Sequence, residues 1–281
     1  MGQKVNSTVF NLGLINSEYK SKYLSKNETE SSLFLYKDIE IKNYIDRVFE
    51  MYGFIVQNIK INYSTTKVKV FIKFYTQQNK RKIKKLPLKI SKSSKLLTTF
   101  IINNYILSGL NLYLKNKKIE LKIQNLNEKF KNNFLKNKKE IKNYKQKIKI
   151  FNRFTKKKSY NKEFINNRDF IKAIIISLYE KDSAKIIAKI IASNLEKKNN
   201  KQFYLFFILK TVVQYSLKSR YSNIKGFKLV VNGRFNKRPR SKKFLIQLGR
   251  INLSSFNSNT SYYEETAFTK NGTFGIKVWI C

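Results

Sequence analysis

The stretch Lys67-Val68-Lys69-Val70-Phe71-Ile72-Lys73-Phe74-Tyr75 decides how the first half of the chain is read. Val68, Val70, Ile72 and Phe74 fall on one face, and Lys67, Lys69, Phe71 and Lys73 on the other. That two-residue period belongs to a strand with one face in a core. Immediately before it, Ser64-Thr65-Thr66 reads as a hairpin turn, and residues 54–63 alternate as the partner strand. Further back, Ile41, Tyr44, Ile45, Val48, Phe49 and Tyr52 recur at three and four, which predicts a helix from Tyr36 that ends at Gly53. Downstream, Ser93/Ser94 caps a second helix through Leu96, Leu97, Phe100, Ile101, Tyr105 and Ile106, with Gly109 as its stop. Ile119, Leu121 and Ile123 make a third strand. Helix, strand, strand, helix, strand is a small α+β domain over residues 36–124.

Residues 1–35 read as an extended, polar arm. Residues 125–162 are dominated by Lys and Asn and read as an insertion or linker. From 163 the helical period returns. Asp182 is placed to cap a helix with Ile186, Ile187, Ile190, Ile191 and Leu195 on its apolar face, and another helix runs from Lys201 to Leu217. Five strand-like runs follow: Phe227–Val231, Phe244–Leu248, Ile251–Phe256, Tyr262–Thr266 and Phe274–Ile280. Asn232-Gly233, Gly249 and Asn271-Gly272 punctuate them. Residues 163–281 therefore read as a second α+β domain with a mostly antiparallel sheet.

The composition narrows the chemistry. The chain has 281 residues, 59 Lys+Arg against 17 Asp+Glu, and a formal charge of +42. A compact body with that charge repels itself unless a polyanion neutralises it, and nucleic acid is the strongest candidate. No His is present, and Cys281 is the one cysteine. An imidazole base, a Ser-His triad, a His or Cys metal site and a disulfide framework are thereby excluded. The carboxylates are dispersed, and Glu264-Glu265 would point to opposite faces of a strand. No enzyme, no cofactor and no metal are expected. No apolar run approaches the roughly 18 residues needed to span a bilayer, so no membrane partner is expected. Glu18, Glu28 and Glu30, with no Arg before Arg47, do not make a transit peptide, and Asn6 breaks the myristoylation pattern after Met1-Gly2.

Lys, Asn, Ile, Phe and Tyr, all abundant, are written with A/T-rich codons, so drift explains part of the lysine excess. The nine arginines carry more information. Three of them, Arg234, Arg238 and Arg240, sit with Lys237, Lys242 and Lys243 in a hairpin loop that Pro239 stiffens, a pattern that favours phosphate binding. Arg250 either contacts RNA or pairs with Glu264 or Glu265. Trp279 is expected in the core.

The two ends of the chain carry a resemblance. The start reads Met1-Gly2-Gln3-Lys4-Val5-Asn6, then Asn11-Leu12-Gly13; the end reads Gly275-Ile276-Lys277-Val278-Trp279-Ile280. Ile224-Lys225-Gly226 leading to Asn232-Gly233-Arg234, the run Ala184-Lys185 through Ala192-Ser193-Asn194-Leu195-Glu196, and Gly249-Arg250 lie between them in order. Together these resemble the bacterial-type small-subunit ribosomal protein S-three family. The resemblance implies a type II K-homology domain followed by a C-terminal α+β domain. It also implies a place in the small-subunit head, where messenger RNA enters. The implied partners are small-subunit ribosomal RNA, messenger RNA and neighbouring head proteins.

The resemblance makes Gly2, Gln3 and Lys4 of the arm candidate RNA contacts. Lys197, Lys198, Lys201 and Lys210 become candidates for facing incoming messenger. Phe206 and Phe207 stand where arginines are expected, and the aromatic pair is expected against core or a partner. Thr76 to Ser93 contains no glycine, so the Gly-x-x-Gly clamp of K-homology domains is degenerate. Its Lys-rich replacement (Lys80, Arg81, Lys82, Lys84, Lys85, Lys89) is either a charge-based RNA contact or a solvated loop. The family has mitochondrial and plastid members. The enlarged, diverged middle favours an organelle-encoded protein of the mitochondrial matrix, with a plastid or apicoplast as the alternative. A free RNA-binding adaptor or an organellar RNA-processing factor is the competing function.

Overall fold

A computed structural model describes residues 5–10, 20–76, 102–114, 117–128, 164–180, 183–196, 202–218, 224–235, 243–253, 255–256 and 258–281. The chain forms two compact units, one of Glu18–Leu126 and one of Met1–Ser17 with Asn127–Cys281.

In the first unit the alternation of residues 67–75 becomes a strand as read. Phe54–Tyr63 (β2) and Lys67–Thr76 (β3) pair antiparallel through the 64–66 turn, where the Ser64 amide donates to the Lys67 carbonyl at 2.8 Å. Val68, Val70, Ile72 and Phe74 are buried, each adding about 1.5–3 kcal/mol of apolar stabilisation. A bulge between Val56 and Asn58 shifts the parity of β2. Phe54 and Val56 before it, and Ile59 and Ile61 after it, therefore all face the same core. Lys118–Asn125 (β4) joins β3 in parallel, and the short Ser21–Lys22 (β1) joins β2 in parallel, for a sheet order β1-β2-β3-β4.

The covering helix corrects the sequence reading. Glu28–Met51 (α2) starts eight residues before Tyr36. Glu28 and Glu30 lie in its first turn, where the helix dipole favours acids, and Glu30 accepts from the Lys26 amide at 2.9 Å. The extended arm therefore does not run to residue 35. Residues 20–23 are instead docked on the sheet. The Ile61 amide donates to the Lys20 carbonyl, the Ser21 hydroxyl donates to Asp38 at 2.7 Å, and Tyr23 stacks on Phe34. Burial, and then the nearby Asp38 charge, push the Tyr63 phenol up. Gly53 follows α2 with φ 76°, as its C′ role demands.

Gly109 is not the stop it was read as. A π-helical turn, Ile102–Leu107, runs into Ser108–Tyr113 (α3), so Gly109 lies inside the helix. A Cβ there would collide with the Tyr44 hydroxyl, which donates to the Tyr105 carbonyl at 2.6 Å. The capping serines and most of the second helix lie outside the described residues, as do residues 129–163 of the insertion.

The second unit is also α+β. Its helices are Phe164–Tyr179 (α4), Ala184–Leu195 (α5) and Gln202–Lys218 (α6). Asp182 lies outside the described residues. Ile186, Ile187, Ile190, Ile191 and Leu195 are buried as predicted. Ala184, Ala188 and Ala192, spaced by four, let α5 approach β7 and β8 closely. Gly226–Asn232 (β5), Lys243–Gly249 (β6), Ser261–Thr269 (β7) and Gly272–Ile280 (β8) form a wholly antiparallel sheet in the order β6-β5-β8-β7. The strand read over Ile251–Phe256 does not form. Gly249 ends β6 with φ 74°, and the Ser258 hydroxyl then donates to the carbonyls of Asn252 and Ser255, which holds a loop instead. Ser7–Phe10 (α1) belongs to this unit, where Phe10 stacks on Phe256 with centroids 4.4 Å apart.

We expect Gly249→Ala to lower stability by at least about 1 kcal/mol, because alanine resists a positive φ. Its Cβ would also press on the Lys225 carbonyl. Urea denaturation of the full chain measures it; a midpoint equal to wild type would show that the turn adapts.

Candidate nucleic-acid interface

In both units helices cover one sheet face, and among the described residues the other is open. On the open face of the first sheet, register brings together Lys22, Lys60, Lys67, Lys69, Lys73, Lys118 and Lys122. Glu120 is the one carboxylate among the described residues of that face. It bonds Lys67 at 3.1 Å, with Lys69 at 4.0 Å. The hydrogen bond from Lys67, then the Lys67 charge, hold the Glu120 carboxyl below its usual range. The depressed value means that this small contribution to stability is present above the unfolded pKa and is lost as pH falls through the folded one. Lys67 stands directly opposite Lys118, a like-charge pairing that costs stability unless an anion offsets it. Phe71 lies among them with the Lys73 ammonium 5.7 Å from its ring.

The open face of the second sheet carries Lys228, Lys243 and Lys277 with Tyr262, Glu264 and Trp279. Trp279 is therefore not in the core. Phe274, Ile276, Val278 and Ile280 take the inward parity of β8, which turns Trp279 outward with Lys277. Its ring lies 5.0 Å from Tyr262 and 5.3 Å from the Lys228 ammonium. Burial and the hydrogen bond to Glu264 push the Tyr262 phenol up.

The residues singled out from sequence do not form one site. Arg234 is half-buried just after β5, and Lys243 is exposed at the start of β6. Asn232 pairs with Lys243, so the two cations bracket the arginine-rich connection, whose Lys237, Arg238, Arg240 and Lys242 lie outside the described residues. Arg250 is at the other end of the same pair of strands, beyond the Gly226–Gly249 pairing, about 20 Å away by strand rise. Arg250 makes no ion pair with Glu264, which faces Lys277 at 3.8 Å.

Lys210 is exposed on α6. Phe206 and Phe207 part company, because neighbours on a helix point about 100° apart. Phe206 is 1% exposed and stacks on Phe244 at 4.5 Å, while Phe207 is 62% exposed beside Lys210. Gly2, Gln3, Lys4, Lys197, Lys198 and Lys201, and the loop that replaces the Gly-x-x-Gly clamp, lie outside the described residues. Sequence reasoning noticed the lysine face of β3 but not its extension across four strands. Lys22, Lys60, Lys118 and Lys122 join it only through pairing.

Two α+β units, each with helices on one sheet face and lysines on the other, define a basic α+β protein with open sheets. Residues 191–280 match the family described as Ribosomal protein S3, C-terminal domain. The chain is also similar to proteins named small ribosomal subunit protein uS3. That of Phytoplasma vitis is 28% identical over 109 residues, 39% of this chain and 42% of the relative. That of Azobacteroides pseudotrichonymphae genomovar. CFP2 is 27% identical over 110 residues, 39% of this chain and 44% of the relative. That of Karelsulcia muelleri (strain GWSS) is 32% identical over 97 residues, 34% of this chain and 40% of the relative. The matched stretch thus spans less than half the length of these relatives. Residues 191–280 are thus similar to the C-terminal domain of the ribosomal protein S3 family.

Proposed function

We propose that the chain is a structural, non-enzymatic constituent of a small ribosomal subunit, bound to ribosomal RNA in the head where messenger enters. The observation that carries this reading is the S3 C-terminal domain over residues 191–280. The two lysine-lined sheet faces support it, since cations held on rigid strands release counterions from RNA phosphates without needing base contacts. Glycine-free residues 76–93 leave charge, rather than a backbone clamp, as the means of holding RNA in the first unit. We read the first unit, whose helix starts at Glu28 rather than at Tyr36, as a degenerate K-homology domain and residues 163–281 as the C-terminal domain, with a shorter arm before them and the insertion between. Gly2, Gln3 and Lys4, the cations from Arg234 to Lys243, and Arg250 are the proposed RNA contacts. Lys197, Lys198, Lys201 and Lys210 are proposed to face messenger, and neighbouring head proteins complete the set of partners. The bias toward residues written with A/T-rich codons and the enlarged middle favour a mitochondrial ribosome, with a plastid as the alternative.

Sedimentation of lysate at low salt tests the reading. The chain is expected to travel with small-subunit particles and to leave them as salt is raised. Recovery at the top of the gradient at low salt would end the ribosomal reading and favour a free RNA adaptor.

A further inference from the structure

One feature of the second unit is not absorbed by the open lysine faces. Where the strand ends at Gly226, Gly249, Ser261 and Ile280 meet the start of α5, a cavity of about 830 Å³ opens. Ser183, Lys225, Arg250, Asn252, Asn259 and Glu180 are among the residues that line it. Ser183 precedes α5 at the N-cap position, yet its hydroxyl makes no capping bond. The residue is 1% exposed, and its Oγ has no hydrogen-bond partner among the described residues. A buried hydroxyl left without a partner is costly and rare in folded proteins. Here it lines a cavity at the positive end of a twelve-residue helix.

Two cationic residues line the same cavity, and main-chain bonds fix their backbones. The Arg250 amide donates to the Lys225 carbonyl at 3.1 Å, and the Lys225 amide donates to the Cys281 carbonyl at 2.7 Å. The positive φ of Gly249 lets that turn form. The Arg250 side chain is exposed and has no ion pair among the described residues. Glu180 is the one acidic side chain among the described residues lining the cavity, set against the two cations and the helix terminus. An orphaned donor, a helix N-terminus, a guanidinium and an ammonium among the lining of one cavity match a phosphate, whose several acceptor oxygens can use all four.

We propose that this cavity is a phosphate-binding site, with Ser183, the start of α5, Arg250 and Lys225 as its donors, and that it holds a backbone phosphate of RNA. The RNA source rests on the proposed function; the phosphate site does not. Its role differs from that of the lysine faces, because a partly enclosed site fixes one phosphate in place and so sets register.

Titration of the ¹⁵N-labelled full chain with inorganic phosphate tests the site. Saturable amide shifts are expected at Ser183, Ala184 and Arg250. Ser183→Ala and Arg250→Ala should each weaken phosphate binding about tenfold, as loss of a charge-assisted bond does. In phosphate-free buffer Ser183→Ala should melt no lower than wild type, since it deletes an unpaired polar atom; a lower melting temperature would assign the hydroxyl a structural role and overturn the site. Absence of phosphate shifts, or shifts unchanged in both variants, would overturn it too. Competition by a ten-nucleotide oligouridylate identifies RNA as the source, whereas phosphate binding that the oligonucleotide leaves untouched would overturn that assignment. A chain that binds phosphate at Ser183 yet sediments free of ribosomal particles would sink the proposed function and leave the site standing.

Discussion

Replacing Lys60, Lys73, Lys118 and Lys122 together by glutamine is expected to reduce affinity for RNA about 10³-fold at 0.1 M salt. The estimate follows from counterion release. Each phosphate contact contributes roughly 0.7–0.9 to the slope of log K against log salt, so losing four lowers the slope by about 3. The electrostatic contribution vanishes near 1 M salt, and one decade below that a slope of 3 is a factor of about 10³. None of these four lysines is ion-paired to Glu120, which already engages Lys67 and Lys69. They lie on the exposed or half-buried face of β2, β3 and β4, so the substitutions leave the core untouched. Filter binding across a salt series measures both quantities. A slope equal to wild type would identify the face as lysine accumulated by codon drift and merely solvated. It would also move the RNA interface to the second unit.

Phe274→Ala is expected to cost about 3–5 kcal/mol, the largest single-residue loss of stability in the second unit. Phe274 is 0% exposed in the middle of the sheet core and packs against Phe235 at 5.2 Å. Phe235 in turn meets Phe206 and Phe244. Truncation removes both the transferred ring and its contacts, and a stiff sheet flanked by β5 and β7 refills such a void poorly. Phe207→Ala is the comparison, with an expected change within about 0.5 kcal/mol because the ring is exposed. Urea denaturation followed by Trp279 fluorescence reads both variants. Similar midpoints for the two would mean that the aromatic core is not what holds this unit together.

The Phe206 and Phe207 pair shows where sequence reading stops. Both rings were assigned one fate, because adjacent residues share composition and neighbourhood. On a helix they share no face, and only the position of β6 decided that Phe206 is the inward one. Trp279 failed for a related reason. Its strand was legible, but a large aromatic was assumed to lie inside, while the parity set by Phe274, Ile276 and Val278 puts it outside. Ile251–Phe256 has apolar residues at its ends and reads as a strand. Carbonyls within it, those of Asn252 and Ser255, instead accept from the Ser258 hydroxyl and hold a loop. The start of α2 is not legible because residues 28–32 are polar and Leu33 and Leu35 stay exposed. A helix there depends on its acidic first turn and on docking rather than on a buried apolar stripe.

By itself the sequence determined what short-range physics controls. It set the order of most helices and strands through periods of 3.6 and 2, the hairpin turn at 64–66, the stop at Gly53, the charge of +42 and terminal motifs that resemble the S3 family. Tertiary structure alone decided what depends on pairing between distant segments. It set β4 parallel to β3, gathered lysines from four strands onto one face, and separated Arg250 from Arg234 at opposite ends of one strand pair. It also brought the start of α5 to the cavity beside Lys225 and Arg250. The physical reason is that a side chain's period is written locally. The face it shares, and the charges it meets there, are set by register with strands as far off as Phe227 is from Ile280, and no local period encodes that register.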